Sequence, residues 1–332
     1  MHEPYSQARE FRMNIKVDLK NPKMEASRDG YGRGLVKLGA RKKNVMALCC
    51  DLTDSTRVQK FKDKYPSRYV EVGIGEQNMA GLAAGMAMNG KIPFISSYAV
   101  FSPGRNWDQI RVSICYNNLP VKIQGAHAGI SVGPYGATHQ ALEDIAITRV
   151  LPNMTVVVPA DSIQGEKATI KSTSVKGPVY LRFSRSNTPV ITDNDTPFEI
   201  GKADIYRQGR DVCIIACGTM VYESLVAAEN LKKEGISAMV INNHTIKPID
   251  SKTIIAAAKK TGAIVTAEEH QIHGGMGSAV SEVIVKNFPV PMEFVGINDT
   301  FGESGQPEEL LKKYKCTSKE IILAVKKAIR RK

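Results

Sequence analysis

Glu76 stands where a short apolar strand gives way to a helix. Val70 and Val72 precede it, and Gly73 and Gly75 let the chain turn. Met79, Ala80, Leu82, Ala83, Gly85, Met86 and Ala87 follow as a small, apolar run ended by Asn89-Gly90. A carboxyl at such a junction has little around it to solvate a charge. It must keep its proton or be given a specific partner, which makes it a candidate for acid–base work. The ordinary alternative is a helix-start acid facing the helix dipole. His127 and His139 are the next candidates, in a glycine-rich region that starts at Gly125. One histidine is most often a structural hydrogen-bonder; two in one such region can donate to a substrate hydroxyl or help move its proton. Tyr98 and Phe101, three residues apart, can line one wall, although aromatics in a strand-loop segment usually belong to the core.

The elements that must position these side chains alternate. Residues 30–41 form a helix with Leu35, Val36 and Leu38 inward, and Asn44–Cys50 is a continuous apolar run fit for a buried parallel strand. Asp51-Leu-Thr-Asp-Ser55 follows it as a polar loop. Ligands of open α/β sheets are met in such loops, so Asp51 counts as a cofactor-side candidate. Strands are expected at 69–72, 92–96, 121–124, 155–158 and 179–183, and helices from Glu76, from Pro103 to Tyr116, from Ala141 to Val150, and after an N-cap at Asp161. A second series has strands at 212–216, 238–241, 263–267 and 292–295. Helices over 220–233, 251–260, 277–287, 307–313 and 318–331 go with them. The pattern predicts an α/β protein of two domains, each a mostly parallel sheet flanked by helices. The expected boundaries are an N-terminal arm over 1–22, a first domain over 23–184, a turn-rich linker over 185–201 and a second domain over 202–332.

Val72-Gly-Ile-Gly-Glu-Gln77 followed by a small-residue helix resembles the pyrimidine-binding segment of thiamine diphosphate enzymes of the transketolase family. Deoxyxylulose-phosphate synthase is especially similar here. The similarity continues through Ser97–Phe101, Trp107–Arg111, Gly136-Ala-Thr-His-Gln140, Thr266–His270 and Gly274–Gly277. It implies a pyrimidine-binding domain followed by a transketolase C-terminal domain. It also implies that Glu76 bonds the N1′ nitrogen of the aminopyrimidine, that Phe101 stacks on that ring beside Tyr98, and that Arg105 belongs to the cofactor site. His139 then contacts substrate, and His127 falls where transketolase carries a histidine. Arg28, Ser55 and Arg185 match residues that bind a substrate phosphate. Tyr135 is a departure, since the family usually has an aspartate there, and a phenol cannot replace a carboxylate acceptor in kind.

The family holds Mg²⁺ and the diphosphate with a Gly-Asp-Gly motif and a later Asn, and this sequence has no Gly-Asp-Gly. The resemblance therefore implies the C-terminal section of a split transketolase. Its partner would be an N-terminal subunit carrying the metal and diphosphate site, in an α2β2 assembly acting on sugar phosphates. No metal ligand set is assigned to this chain. Alternatives are a deoxyxylulose-phosphate synthase-like enzyme, the beta subunit of a 2-oxo acid dehydrogenase, and a non-catalytic assembly subunit.

Composition excludes other classes. An apolar content of 42% and a charged content of 23% are those of a globular protein. No apolar run reaches a membrane span, and the N-terminal residues lack a signal-peptide core, so a cytoplasmic location is expected. The six cysteines fit no zinc spacing and read as buried free thiols. The net charge of +12 raises the possibility of nucleic-acid binding. The basic residues are scattered, however, and their short clusters lack interleaved aromatics for stacking on bases.

Overall fold

A computed structural model describes residues 18–332, so most of the expected N-terminal arm (residues 1–17) lies outside the described residues. The strands are β1 (Met24–Ala26), β2 (Val45–Cys49), β3 (Tyr69–Glu71), β4 (Ile92–Tyr98), β5 (Lys122–Ala126), β6 (Thr155–Val157) and β7 (Val179–Arg182). The series continues with β8 (Asn187–Pro189), β9 (Asp204–Arg207), β10 (Val212–Ala216), β11 (Ala238–Asn242), β12 (Thr245–Lys247), β13 (Ile264–Gln271) and β14 (Met292–Ile297). They form a seven-stranded sheet in the order β12-β6-β7-β5-β4-β2-β3, a five-stranded sheet in the order β14-β13-β10-β11-β9, and a two-stranded ribbon of β1 and β8. Within both large sheets the inner strands are parallel, as expected for continuous apolar strands covered on both faces.

Four short strands, β1, β8, β9 and β12, escape a periodicity reading. β9 is an antiparallel edge on β11. β8 pairs antiparallel with β1 inside the expected linker. β12 follows β11 after only two residues, yet it pairs antiparallel with β6 and completes the edge of the first sheet. The second half of the chain thus supplies a strand to the first half's sheet. The helix expected from Pro103 begins only at Trp107 and continues as a π-helical turn over Ile110–Cys115. At the start of this helix Asn106 turns its side-chain amide to the Glu76 carbonyl (3.1 Å), thirty positions earlier in the chain, and to Ser102 Oγ (3.2 Å). The helix expected over 141–150 is also shorter, spanning Asp144–Arg149. All six cysteines are buried and unpaired.

The two sheets share one core. A continuous cluster runs from Leu48, Ile95 and Ile123 of the first to Ile215, Ile241 and Ile264 of the second. Polar contacts cross the same boundary. Arg182, buried on β7, donates to Asp144 Oδ2 (2.8 Å) and Oδ1 (3.2 Å) and to the backbone carbonyl of Glu269 on β13 (2.9 Å). Tyr180 Oη donates to the same Asp144 Oδ2 at 2.6 Å. The Glu269 carboxylate accepts from the Ser131 amide at 2.5 Å and from Thr219 Oγ1 at 2.9 Å. Gly129 makes the approach possible: its φ is +91°, and a Cβ there would lie 2.4 Å from Glu269 Oε1.

Burial alone would push the Asp144 carboxyl up, but Arg182 beside it holds it below the usual carboxylate range. Removing one partner of a buried pair strands the other charge, which typically costs about 3–5 kcal/mol. Asp144→Ala is therefore expected to lower the urea midpoint of unfolding sharply, whereas alanine at the exposed acid Asp54 leaves it nearly unchanged. The sign with pH follows from the lowered value. The stabilisation is complete above the unfolded pKa of about 3.9 and is lost as pH falls through the folded one. An acid-unfolding midpoint equal in wild type and Asp144→Ala would contradict this assignment.

Candidate functional site

Glu76 is the first residue of the helix Glu76–Met88, and its side chain is only 1% exposed. Gly73, at φ +70°, makes the turn that carries the chain from β3 into this helix. The expected apolar surroundings are only half the picture, because both carboxylate oxygens are engaged. Ser97 Oγ on β4 donates to Oε1 at 3.1 Å, and Arg105 Nη1 donates to Oε2 at 2.8 Å. Sequence reasoning misses Ser97 and Asn106 as site residues. Their types carry no signal, and only the fold brings them to Glu76.

From Arg105 a line of rings leads away. The Arg105 guanidinium lies 4.5 Å over the Phe101 ring. Phe101 and Tyr98 are stacked at 6.1 Å, and His139 meets both edge-on, at 5.5 and 5.9 Å. Tyr98 lies 4.0 Å from the His127 ring. Tyr135 is parallel to His127 at 6.0 Å and lies 5.5 Å from His139; the Arg185 guanidinium stands 4.6 Å over its ring. Arg28 Nη1 approaches His127 Nε2 at 3.3 Å and donates to the Ser55 carbonyl at 2.6 Å. Ser55 thus enters the group by its backbone. The fold gathers Glu76, Tyr98, Phe101, Arg105, His127, Tyr135, His139, Arg28, Ser55 and Arg185 into one connected cluster.

Asp51 is not brought in. It is exposed, at φ +55°, and its amide donates to Glu71 Oε1 at 2.8 Å. Glu71 also takes the amides of Val72 and Gly73, at 3.1 and 3.2 Å. This end of the loop is organised around Glu71, and among the described residues no hydrogen bond or ring contact joins Asp51, expected on the cofactor side, to the cluster.

The two ends of the cluster differ in charge. Among the described residues, Arg28 and Arg185 have no carboxylate in salt-bridge contact; Arg185 donates only to the Val132 carbonyl, at 3.3 Å. Arg28 Nε is buried and without a hydrogen-bond partner among those residues, as is His127 Nδ1. Burial, with the positive charges of Arg57 and Arg185, pushes the Arg28 guanidinium below its ordinary value. Burial, then the charges of Arg28 and Arg185, pushes His127 down to about 2. His127 is therefore neutral. Since Arg28 donates to its Nε2, the proton sits on Nδ1, pointing at no acceptor. His127 also has φ +56°, a left-handed conformation uncommon for a residue with a side chain. Thr138 Oγ1 lies 2.9 Å from His139 Nδ1 and sets the orientation of that ring.

Comparison with known proteins gives this arrangement a family. Residues 23–190 match the transketolase pyrimidine-binding domain, and residues 201–321 match the transketolase C-terminal domain. The chain is 42% identical to the 6-deoxy-6-sulfo-D-fructose transketolase subunit SqwH of Clostridium sp. (strain MSTE9), over 92% of this chain and 95% of that one. It is 37% identical to an apulose-4-phosphate transketolase subunit of Phocaeicola vulgatus, over 88% of this chain and 93% of that one. A solved structure described as a split gene transketolase, an inactive beta4 tetramer, is 46% identical and superposes with a TM-score of 0.87, covering 92% of this chain and 99% of that one. No helix of the described residues is long and apolar enough to cross a membrane. The chain belongs to the transketolase family and carries its pyrimidine-binding domain followed by its C-terminal domain.

Proposed function

We propose that this chain is the C-terminal subunit of a split, thiamine diphosphate-dependent transketolase that moves a two-carbon ketol unit between sugar phosphates. The observation that carries the reading is the connected cluster, with a buried carboxylate at one end and two arginines without carboxylate partners at the other. Three similar proteins of nearly this length are described as subunits or as a split gene product, which supports a separate partner. We assign the Mg²⁺ and diphosphate site to that partner and the assembly to an α2β2 form. We place the complex in the cytoplasm, in keeping with six unpaired thiols.

The residues fit the cofactor's aminopyrimidine. A carboxylate and an aromatic face stand together, and a flat, N–H-bearing group, the Arg105 guanidinium, already lies against both. Thiamine diphosphate supplies the nucleophilic carbon and the base that forms it. Glu76 would hold the proton at N1′, while Phe101 and Tyr98 hold the ring. Ser97 fixes the Glu76 carboxylate, so little reorganisation is needed when the proton shifts. His139 is the candidate for donating to or taking a proton from the substrate hydroxyl. His127, neutral with its Nδ1–H free, is a hydrogen-bond donor to substrate rather than an acid. Arg28 and Arg185 would take the phosphate, with Ser55 adding its hydroxyl. Tyr135, set between His127 and Arg185, closes the place where an aspartate would accept a sugar hydroxyl.

Two outcomes test this reading in the complex of this chain with its partner. Glu76→Ala is expected to lower kcat by two orders of magnitude or more, about 3 kcal/mol of barrier, with folding retained by circular dichroism. Near-normal turnover would mean that another residue serves N1′.

The second concerns the phosphate. Its contacts are far from the reacting carbonyl, so they should be equally strong in ground and transition states. Arg185→Ala should then raise KM more than it lowers kcat. A charge-assisted hydrogen bond is worth about 1.5–3 kcal/mol, or roughly tenfold to a hundredfold in kcat/KM. Arg185→Lys should recover only part, since an ammonium cannot present a planar fork. Equal losses with a phosphorylated acceptor and with free glyceraldehyde would make Arg185 structural.

A further inference from the structure

Arg105 lies across both groups that would seat the aminopyrimidine. Its Nη1 donates to Glu76 Oε2 at 2.8 Å, and its guanidinium carbon stands 4.5 Å from the centre of the Phe101 ring. A guanidinium is planar, delocalised and rimmed with N–H donors. Towards a carboxylate and an aromatic face it makes the two contacts that an aminopyrimidine makes: an N–H edge to the acid and a flat face on the ring. The two partners differ in freedom. Glu76 is 1% exposed and is fixed from behind by Ser97, whereas the Arg105 side chain is 46% exposed. Among the described residues Arg105 has no other side-chain hydrogen bond or ion pair. It spares Glu76 from being a buried charge without a counterion, a costly arrangement.

We propose that Arg105 is an internal stand-in for the aminopyrimidine: it holds the seat on Glu76 and Phe101 until the cofactor enters and then swings towards solvent. This inference rests on the reading of Glu76 and Phe101 given above. It reverses the sense in which Arg105 belongs to the cofactor site. A residue that competes for the seat weakens cofactor affinity, whereas a residue that only adds a contact strengthens it. The competition also keeps the isolated chain stable before its partner arrives.

The test is titration calorimetry of thiamine diphosphate, with Mg²⁺, into the complex of this chain and its partner. Arg105→Ala and the milder Arg105→Gln should each bind the cofactor more tightly, the alanine variant by about tenfold. The isolated chain should show the opposite sign in stability, with a lower thermal midpoint in both variants, because Glu76 loses its counterion. Weaker or unchanged cofactor binding in the variants would overturn the proposal, and so would an unchanged thermal midpoint. If Arg105→Ala does not fold, Arg105→Gln decides alone. Glu76→Gln separates this idea from the functional reading beneath it. If Glu76→Gln leaves cofactor affinity and turnover unchanged, the seat is elsewhere and the functional reading fails. If Glu76→Gln impairs the complex and Arg105→Ala no longer tightens binding in that background, the competition runs through Glu76 as proposed. Equal tightening in both backgrounds would overturn it.

Discussion

The buried pair of Arg182 and Asp144 is the constraint on which the rest of the molecule depends. Arg182 ends β7 in the seven-stranded sheet, and its guanidinium joins two segments far apart in sequence: the Ala141 carbonyl with the first turn of the helix Asp144–Arg149, and the Glu269 carbonyl on the other sheet. Such a pair adds little net stability over a well-packed apolar alternative, because taking both charges out of water is expensive. Its value is directional. A fork with fixed donors can be satisfied in only one relative placement of the two sheets. Glu269 then extends the lock by holding the Ser131 amide, which pins the glycine-rich region between the sheets. His127, Tyr135 and His139 all ride on that region, so the site inherits its geometry from an ion pair that does not belong to it.

The site itself is arranged by charge. At one end a single carboxylate is buried beside a half-exposed cation. At the other, two guanidinium groups stand without carboxylates among the described residues, next to a histidine that their charges and its burial keep neutral. Each end is unfavourable by itself. The left-handed backbone of His127, its unpaired Nδ1 and the orphaned Arg28 Nε are costs that the packing around them sustains. Costs of that kind are gathered at the end of the cluster where Arg28 and Arg185 stand.

Much of this was legible in the sequence. Continuous apolar runs such as 45–49 and 212–216 are buried strands, and the helix over 220–233 lies where its apolar periodicity puts it. The small-residue run after Glu76 marked both the helix and the residue at its head. Shorter elements were not legible. β12 has Ile246 as its one large apolar residue and becomes a strand only because β6 offers it an unpaired edge. The late start of the helix at Trp107 depends on Asn106 bonding to Glu76, thirty positions earlier in the chain.

The sequence by itself determined the types of residue available for chemistry, the alternation of strands and helices, and through its motifs the family. These are local properties, set by side-chain chemistry and by periods of two and 3.6 residues. Tertiary structure alone decided how the candidates meet. It put a carboxylate, five rings and three guanidinium groups into one cluster and left Asp51 beside Glu71 outside it. It also gave Glu76 a charged partner where local sequence suggested none. Which groups face each other across a sheet, and whether a buried charge finds a counterion, depends on contacts between residues far apart in the chain, and no local pattern encodes them.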